Sequence, residues 1–199
     1  MSTSQKVMTG REFVEHLAIR GDARSRRGGF FKDEPITVNG DVILNHSNRP
    51  LDGLASLDLP NDVVINGSLH IDDYPLGNDA GALTLRGLNV HGIYISGCTA
   101  GHLNVADVTA SHIQVFRCTF GSVHIMDIHV AKTLDISGIR SEKLMTLNAE
   151  FGELHIHCPQ TDSVINVPGV VTKSPVVARR FHLAMIPVYT TSDEVAKMQ

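Results

Sequence analysis

An all-β parallel solenoid is the fold class this chain predicts, and three observations predict it. Between Gly81 and Arg140 the sequence repeats every 20 residues, as GALTLRGLNVHGIYISGCTA, GHLNVADVTASHIQVFRCTF and GSVHIMDIHVAKTLDISGIR. Inside each repeat apolar side chains occupy the third and fifth places of a five-residue unit: Leu83 and Leu85, Leu88 and Val90, Ile93 and Ile95, Cys98 and Ala100. Spacings alternating between two and three leave no stripe on a 3.6-residue helix. A spacing of two instead puts both side chains on one face of a short strand before the chain turns a corner. The third observation lies upstream, where ITVNGDVILN from Ile36 matches VVINGSLHID from Val63, Asn39-Gly40 and Asn66-Gly67 included. Each repeat is then one coil that buries its apolar face only when a neighbour stacks on it.

The elements follow in order. Thr9-Gly10-Arg11-Glu12 has capping-box form ahead of Phe13, Val14, Leu17 and Ala18, which predicts a short N-terminal helix. Such a helix covers the first coil, whose backbone groups would otherwise be open to other chains. Residues 1–35 are therefore read as a cap and basic linker, 36–160 as the solenoid and 161–199 as a C-terminal extension. The step of 27 residues between the two upstream copies implies a loop from His46 to Pro60, and Asp73 to Ala80 interrupts the next coil. After Val130 the register slips by one residue and resumes as Leu134, Ile139, Leu144, Ala149 and Leu154. The total is about six coils, a rod of about 25 to 30 Å at about 4.8 Å per rung. In the extension, Ser174-Pro175 supplies an N-cap with proline at the first helical position, and Val177, Phe181 and Met185 share a face. A short C-terminal helix is expected, serving as a cap or a homodimer contact.

The five-residue grain, the four-sided coil it implies and the small Cys98 and Cys118 in one column resemble pentapeptide-repeat proteins, which are right-handed quadrilateral β-helices. LPNDVVINGSLHID, from Leu59, is similar to units of phage and bacterial β-solenoids. The likeness spans Ile36 to Ile156, and its specific part is the periodicity. The chain departs from the family where the family has a small residue and this sequence has Leu83, Leu88, Ile93, Leu103 and Ile113. Eight sizeable inward side chains per coil would overfill a narrow square core, which leaves a broader or more triangular section open. The resemblance implies a non-catalytic protein-binding module, phage-encoded and inhibiting a host enzyme or defence complex. It also raises DNA mimicry, the mode of the pentapeptide-repeat gyrase inhibitors.

Composition fits one domain, with 199 residues, 42% hydrophobic residues and a net charge of -4. No segment reaches the roughly 18 apolar residues of a membrane span, and MSTSQKVMTG has no apolar signal core. A cytoplasmic protein without membrane contact is expected. Cys98 and Cys118 would be stacked neighbours, but Cβ atoms in a parallel ladder keep the strand spacing, wider than the roughly 3.8 Å a disulfide prefers. They are expected to be buried thiols.

Several constellations bear on chemistry. Of the 11 histidines, His91, His102, His112, His124 and His129 fall at different places of the five-residue unit, which scatters them around the rod. His155, His157 and Cys158 have zinc-ligand types but fall short of four ligands. No metal or cofactor is expected. Arg24, Arg26 and Arg27, interleaved with glycine and followed by Phe30-Phe31, suit phosphates or an acidic protein partner. The negative net charge argues against nucleic acid. A DNA mimic needs rows of carboxylates, yet Gly81 to Val130 holds Asp107 and Asp127 alone, stacked on one corner. The coils contain no paired carboxylates set against a basic group, and the chain has no phosphate loop, HExxH or nucleophile elbow, so no enzyme is expected. Tyr74, Tyr94 and Phe116 are the aromatic outliers that suit partner anchoring. A self-assembling structural subunit is the alternative from another class.

Overall fold

Strands form where the alternation of two and three predicts them, because each short side of the coil can then aim its paired apolar residues inward. The computed structural model describes residues 6–17, 35–47, 57–59, 62–74, 76, 81–137, 139–157, 171–172 and 177–178. Its strands are β1 (Lys6–Thr9), β2 (Ile36–Asn39), β3 (Val42–Asn45), β4 (Leu57–Asp58), β5 (Val63–Asp72) and β6 (Ala82–Arg86). They continue as β7 (Leu88–Ser96), β8 (Thr99–Phe116), β9 (Thr119–Ser137), β10 (Arg140–His157), β11 (Val171–Thr172) and β12 (Val177–Ala178). One parallel ladder runs β1-β2-β5-β7-β8-β9-β10-β11.

The coil is four-sided with unequal sides. Between β8 and β9 the ladder pairs 99–100 with 119–120, 102–106 with 122–126, 108–110 with 128–130 and 112–116 with 133–137, leaving corner residues between the paired stretches. Two longer paired stretches thus alternate with two shorter ones. The eight inward side chains are accommodated: Leu103, Val105, Val108, Ala110, Ile113, Val115, Cys118 and Phe120 are each at most 3% exposed. The longer sides, each of five paired residues, supply four of them, and the shorter stretches, with Cys118 just before one of these, supply the rest.

Two corners of each coil are made by residues in the left-handed region. They recur every ten residues, at Gly87 (φ 62°), Gly97 (φ 64°), Asp107 (φ 52°), Arg117 (φ 53°) and Asp127 (φ 51°). Glycine enters this region freely, and aspartate tolerates it because its short side chain bonds locally.

The regular solenoid has about three turns at a spacing of ~21 residues, not the six coils expected from the sequence. Upstream strands still stack in parallel, but at longer steps, with Ile36 on Val63 and Val63 on Leu88. These rungs carry loops between them and do not belong to the regular repeat. The expected slip is present: Ala110 pairs with Val130, whereas His112 pairs with Thr133, so Ala131 and Lys132 share one corner.

A helix, α1, spans residues 10–17 at the N-terminal end. The Thr9 amide donates to Glu12 Oε2 at 2.7 Å, and the Glu12 amide donates to Thr9 Oγ1 at 3.3 Å, which are the two halves of the expected capping box. Phe13 and Leu17 are buried in the same core as the coils. The C-terminal expectation is corrected. Val177 and Ala178, placed by sequence at the start of a helix, form β12 and pair in parallel with His155 and Ile156. Joining an existing ladder satisfies their backbone groups at once and suits a β-branched valine. Phe181 and Met185 lie outside the described residues. No helix among the described residues is long and apolar enough to cross a membrane.

Candidate functional site

Alternate residues on each long side of the coil point outward, and stacking lines them up in columns. On the side formed by β3, the second half of β5, and parts of β7, β8 and β9, one column runs Ile43, His70, Tyr94, Gln114 and Asp135. The adjacent column runs Asp72, Ser96 and Phe116. Tyr94 and Phe116 therefore lie on neighbouring rungs, two residues apart along the strand. The structure brings together two of the aromatic residues singled out by sequence.

The column is ordered by contacts between side chains. The His70 and Tyr94 rings stack with centroids 4.9 Å apart and planes 15° from parallel. The tyrosine ring lies over Gly92, where a Cβ would come within 2.8 Å of Tyr94 Cε2. Gln114 Nε2 donates to Asp135 Oδ2 at 3.3 Å, and Ser96 Oγ donates to Asp72 Oδ1. Tyr94 and Phe116 are half-buried, and Ile43 is 46% exposed. The result is a flat surface with apolar, aromatic and hydrogen-bonding groups, held by a backbone already committed to ladders.

The other aromatic outlier behaves differently. Tyr74 is buried, 4% exposed, and belongs to the core, so its ring is not offered to a partner. It follows Asp73, whose left-handed φ of 46° turns the chain at the corner. Arg24, Arg26, Arg27 and Cys158 lie outside the described residues. The loops expected from His46 to Pro60 and from Asp73 to Ala80 fall largely outside them as well.

The histidines are less scattered than the five-residue places suggest. His102, His124 and His129 do lie on other sides, but the His91 and His112 rings meet edge-on at 6.3 Å, at the border of the Tyr94 side. His112 shares that side's outward register with Gly92, and His70 lies within it. His70 was missed because it precedes the regular repeat. Its phase shows only once the longer steps from His70 to Tyr94 and from Tyr94 to Gln114 are joined into one column. His155 and His157 pair in register with Asp135 and Ser137. Among the described residues, no three His, Cys, Asp or Glu side chains come together as a metal-holding group.

On the opposite long side, His102 Nδ1 and Ser122 Oγ are hydrogen-bonded at 2.7 Å and Met126 is 40% exposed. Asp107 and Asp127 stack at one corner as expected, and Asp107 Oδ2 pairs with Arg86 Nε at 3.2 Å. Cys98 and Cys118 are free and buried. Cys118 Sγ donates to the Phe116 carbonyl at 3.2 Å. Its hydrogen bond with the Cys98 thiol, and then burial, push the Cys118 thiol well above the usual range, so it stays protonated and inert.

No protein-family model, curated protein or solved structure matches this chain. The chemistry of its own surface must therefore indicate what it does, and the most differentiated surface is the long side that carries Tyr94 and Phe116.

Proposed function

We propose that this protein is a non-catalytic protein-binding module whose docking face is the Tyr94 side of the solenoid. The observation that supports the reading is the placement of Ile43, Tyr94 and Phe116, partly exposed, on adjacent columns of one continuous parallel ladder. A pre-ordered surface loses little conformational freedom on binding, and aromatic side chains are the anchors such interfaces favour. Inhibition of a partner enzyme by covering its surface is the activity this reading assigns, in keeping with the solenoid resemblance. The test compares proteins retained from a host lysate by the wild type, by Tyr94→Ala with Phe116→Ala, and by Met126→Ala on the opposite side. A partner kept by the wild type and Met126→Ala but lost by the double variant supports the reading. Equal retention by all three removes it.

A self-assembling subunit is the second reading, favoured by Val7, which is 60% exposed on the terminal rung of the ladder. Light scattering that gives one mass at every concentration would exclude it.

A further inference from the structure

We infer that Asn39 is a site of spontaneous deamidation whose product loosens the N-terminal cap of the solenoid. The chain holds two Asn-Gly pairs, Asn39-Gly40 in VNGD and Asn66-Gly67 in INGS, and the pairing of β2 with β5 stacks the two asparagines directly. In such a pair the glycine nitrogen can attack the preceding carboxamide carbon, because no side chain hinders its approach and its backbone turns freely. Both asparagines are exposed. Their local sequences make them equivalent, and the fold does not.

The difference lies in what surrounds each glycine. Gly40 is exposed at the bend between β2 and β3, and beyond its chain neighbours no atom lies within 4 Å of the position its Cβ would take. Gly67 lies inside β5, half-buried, with its Cβ position 2.5 Å from the Gly40 carbonyl carbon and 2.8 Å from Asp41 Oδ1. The peptide after Asn39 can therefore swing into open space. The peptide after Asn66 would be driven against the Gly40–Asp41 main chain.

The side chains favour the same residue. Asn66 Nδ2 donates to Asn39 Oδ1 at 2.9 Å. That bond draws electrons from the Asn39 carboxamide and stabilises the negative oxygen that forms as the nitrogen attacks. One restraint opposes it: the Gly40 amide donates to the Asn66 carbonyl at 3.2 Å. A hydrogen bond at the exposed end of a strand opens locally, so the fold slows the reaction at Asn39 without preventing it.

The chemistry needs only water. The Gly40 nitrogen bonds to Asn39 Cγ and gives its proton to solvent, while the carboxamide nitrogen takes up a proton and leaves as ammonia. Water then opens the resulting succinimide at either carbonyl, giving aspartate or isoaspartate. Isoaspartate routes the main chain through the former side chain and lengthens it by one methylene, where Asn39 pairs with both Thr9 and Asn66. Either product adds a carboxylate two residues from Asp41, whose Oδ1 holds the Ser68 amide at 2.8 Å. The change reaches the cap because α1 begins at Gly10, where a Cβ would strike the Asp41 carbonyl oxygen.

The test incubates the full chain at neutral pH and physiological temperature and follows both sites by peptide mapping, with fragmentation that distinguishes isoaspartate. In the folded protein Asn39 should convert at least about fivefold faster than Asn66, and in concentrated urea the two should convert at similar rates. Amide-exchange protection across α1 should fall as Asn39 converts, and Asn39→Gln should keep that protection through the same incubation. If this variant does not fold, the converted and unconverted wild-type fractions, separated by charge, give the same comparison. Asn66 converting as fast as Asn39 in the folded protein would overturn the proposal, as would no conversion at Asn39 or the same ratio in urea. Equal loss of protection in Asn39→Gln, or in the unconverted fraction, would overturn it too.

Discussion

The two long sides of the coil are alike within and unlike without. Beneath one lie Ile93, Ile95, Ile113 and Val115; beneath the other lie Leu83, Leu85, Leu103 and Val105, and every one is at most 1% exposed. Outward, the first side presents a stacked His70 and Tyr94 beside Phe116, while the second presents His102 hydrogen-bonded to Ser122, His124 and an isolated Met126. Because side chains alternate along a strand, the fold constrains only every second residue of a side. The outer residues are then free to differ without disturbing the core, and on these two sides they do differ.

The largest test of this comparison is inside. Ile113→Ala and Leu103→Ala, one under each side, should each cost about 2–5 kcal/mol in urea unfolding, since a rigid ladder closes poorly around a cavity. Losses that differ by more than the general scatter would mean that the two sides are not equivalent within.

At the exit corner of the Tyr94 side, Gly97→Ala should cost about 1–2 kcal/mol, because an L-residue is strained at its φ of 64° and its Cβ would strike the Asp73 carboxylate. Arg117→Gly, one rung on in the same column, should stabilise slightly, by about 0.5 kcal/mol after the extra freedom of the unfolded chain is counted. Thermal unfolding of both variants checks whether the corner column is set by backbone conformation.

On the surfaces the stability changes shrink and the binding changes should diverge. Tyr94→Ala should lower stability modestly through the lost His70 stack, by about 1 kcal/mol, and should abolish partner retention, whereas Met126→Ala should do neither. Arg86→Ala removes an exposed pair with Asp107 and should change stability by no more than about 0.5 kcal/mol, less at high salt. Away from both sides, the Thr9 backbone and side chain hold the Glu12 carboxyl below its usual pKa. A lowered folded-state value means that this contribution is present above the unfolded pKa and lost as pH falls through the folded one. Protection of the amides across residues 10–17, with the intrinsic exchange rate at each pH divided out, should therefore fall in acid, and Glu12→Gln should remove the dependence.

The sequence made the interior legible and the exterior only partly so. Inward columns such as Leu83, Leu103 and Val123 repeat aliphatic residues at one phase, and burial leaves few alternatives, so period and slip could be read directly. The capping box was equally plain, because all its groups lie within four residues. Turn number was not: the match between Ile36 and Val63 has the same local pattern as the regular coils, but its longer step puts it outside the repeat. Tyr74 was read as an outlier because its environment depends on distant rungs and on a corner at Asp73 that no motif announces. Val177 and Ala178 had a good local helix signal that lost to a ladder supplied by β10, a tertiary partner invisible in their own neighbourhood. The Tyr94 side itself was half legible. Its aromatics stood out singly, but their sharing of a surface with His70 and His112 required the register.

The corner at Ala131 and Lys132 gives the molecule a property of a different kind. These two residues stand opposite single residues in both flanking turns, Ser111 on one side and Gly152 on the other. Gly152 fits under them only because it has no Cβ, which would lie 2.6 Å from the Lys132 carbonyl oxygen. The columns nevertheless resume at Leu134 as though nothing had been added. A corner that absorbs an extra residue without passing the shift onward is a natural point of insertion. It offers a place to graft a tag, a reporter or a new recognition loop at the edge of the Tyr94 side without retuning the coils around it.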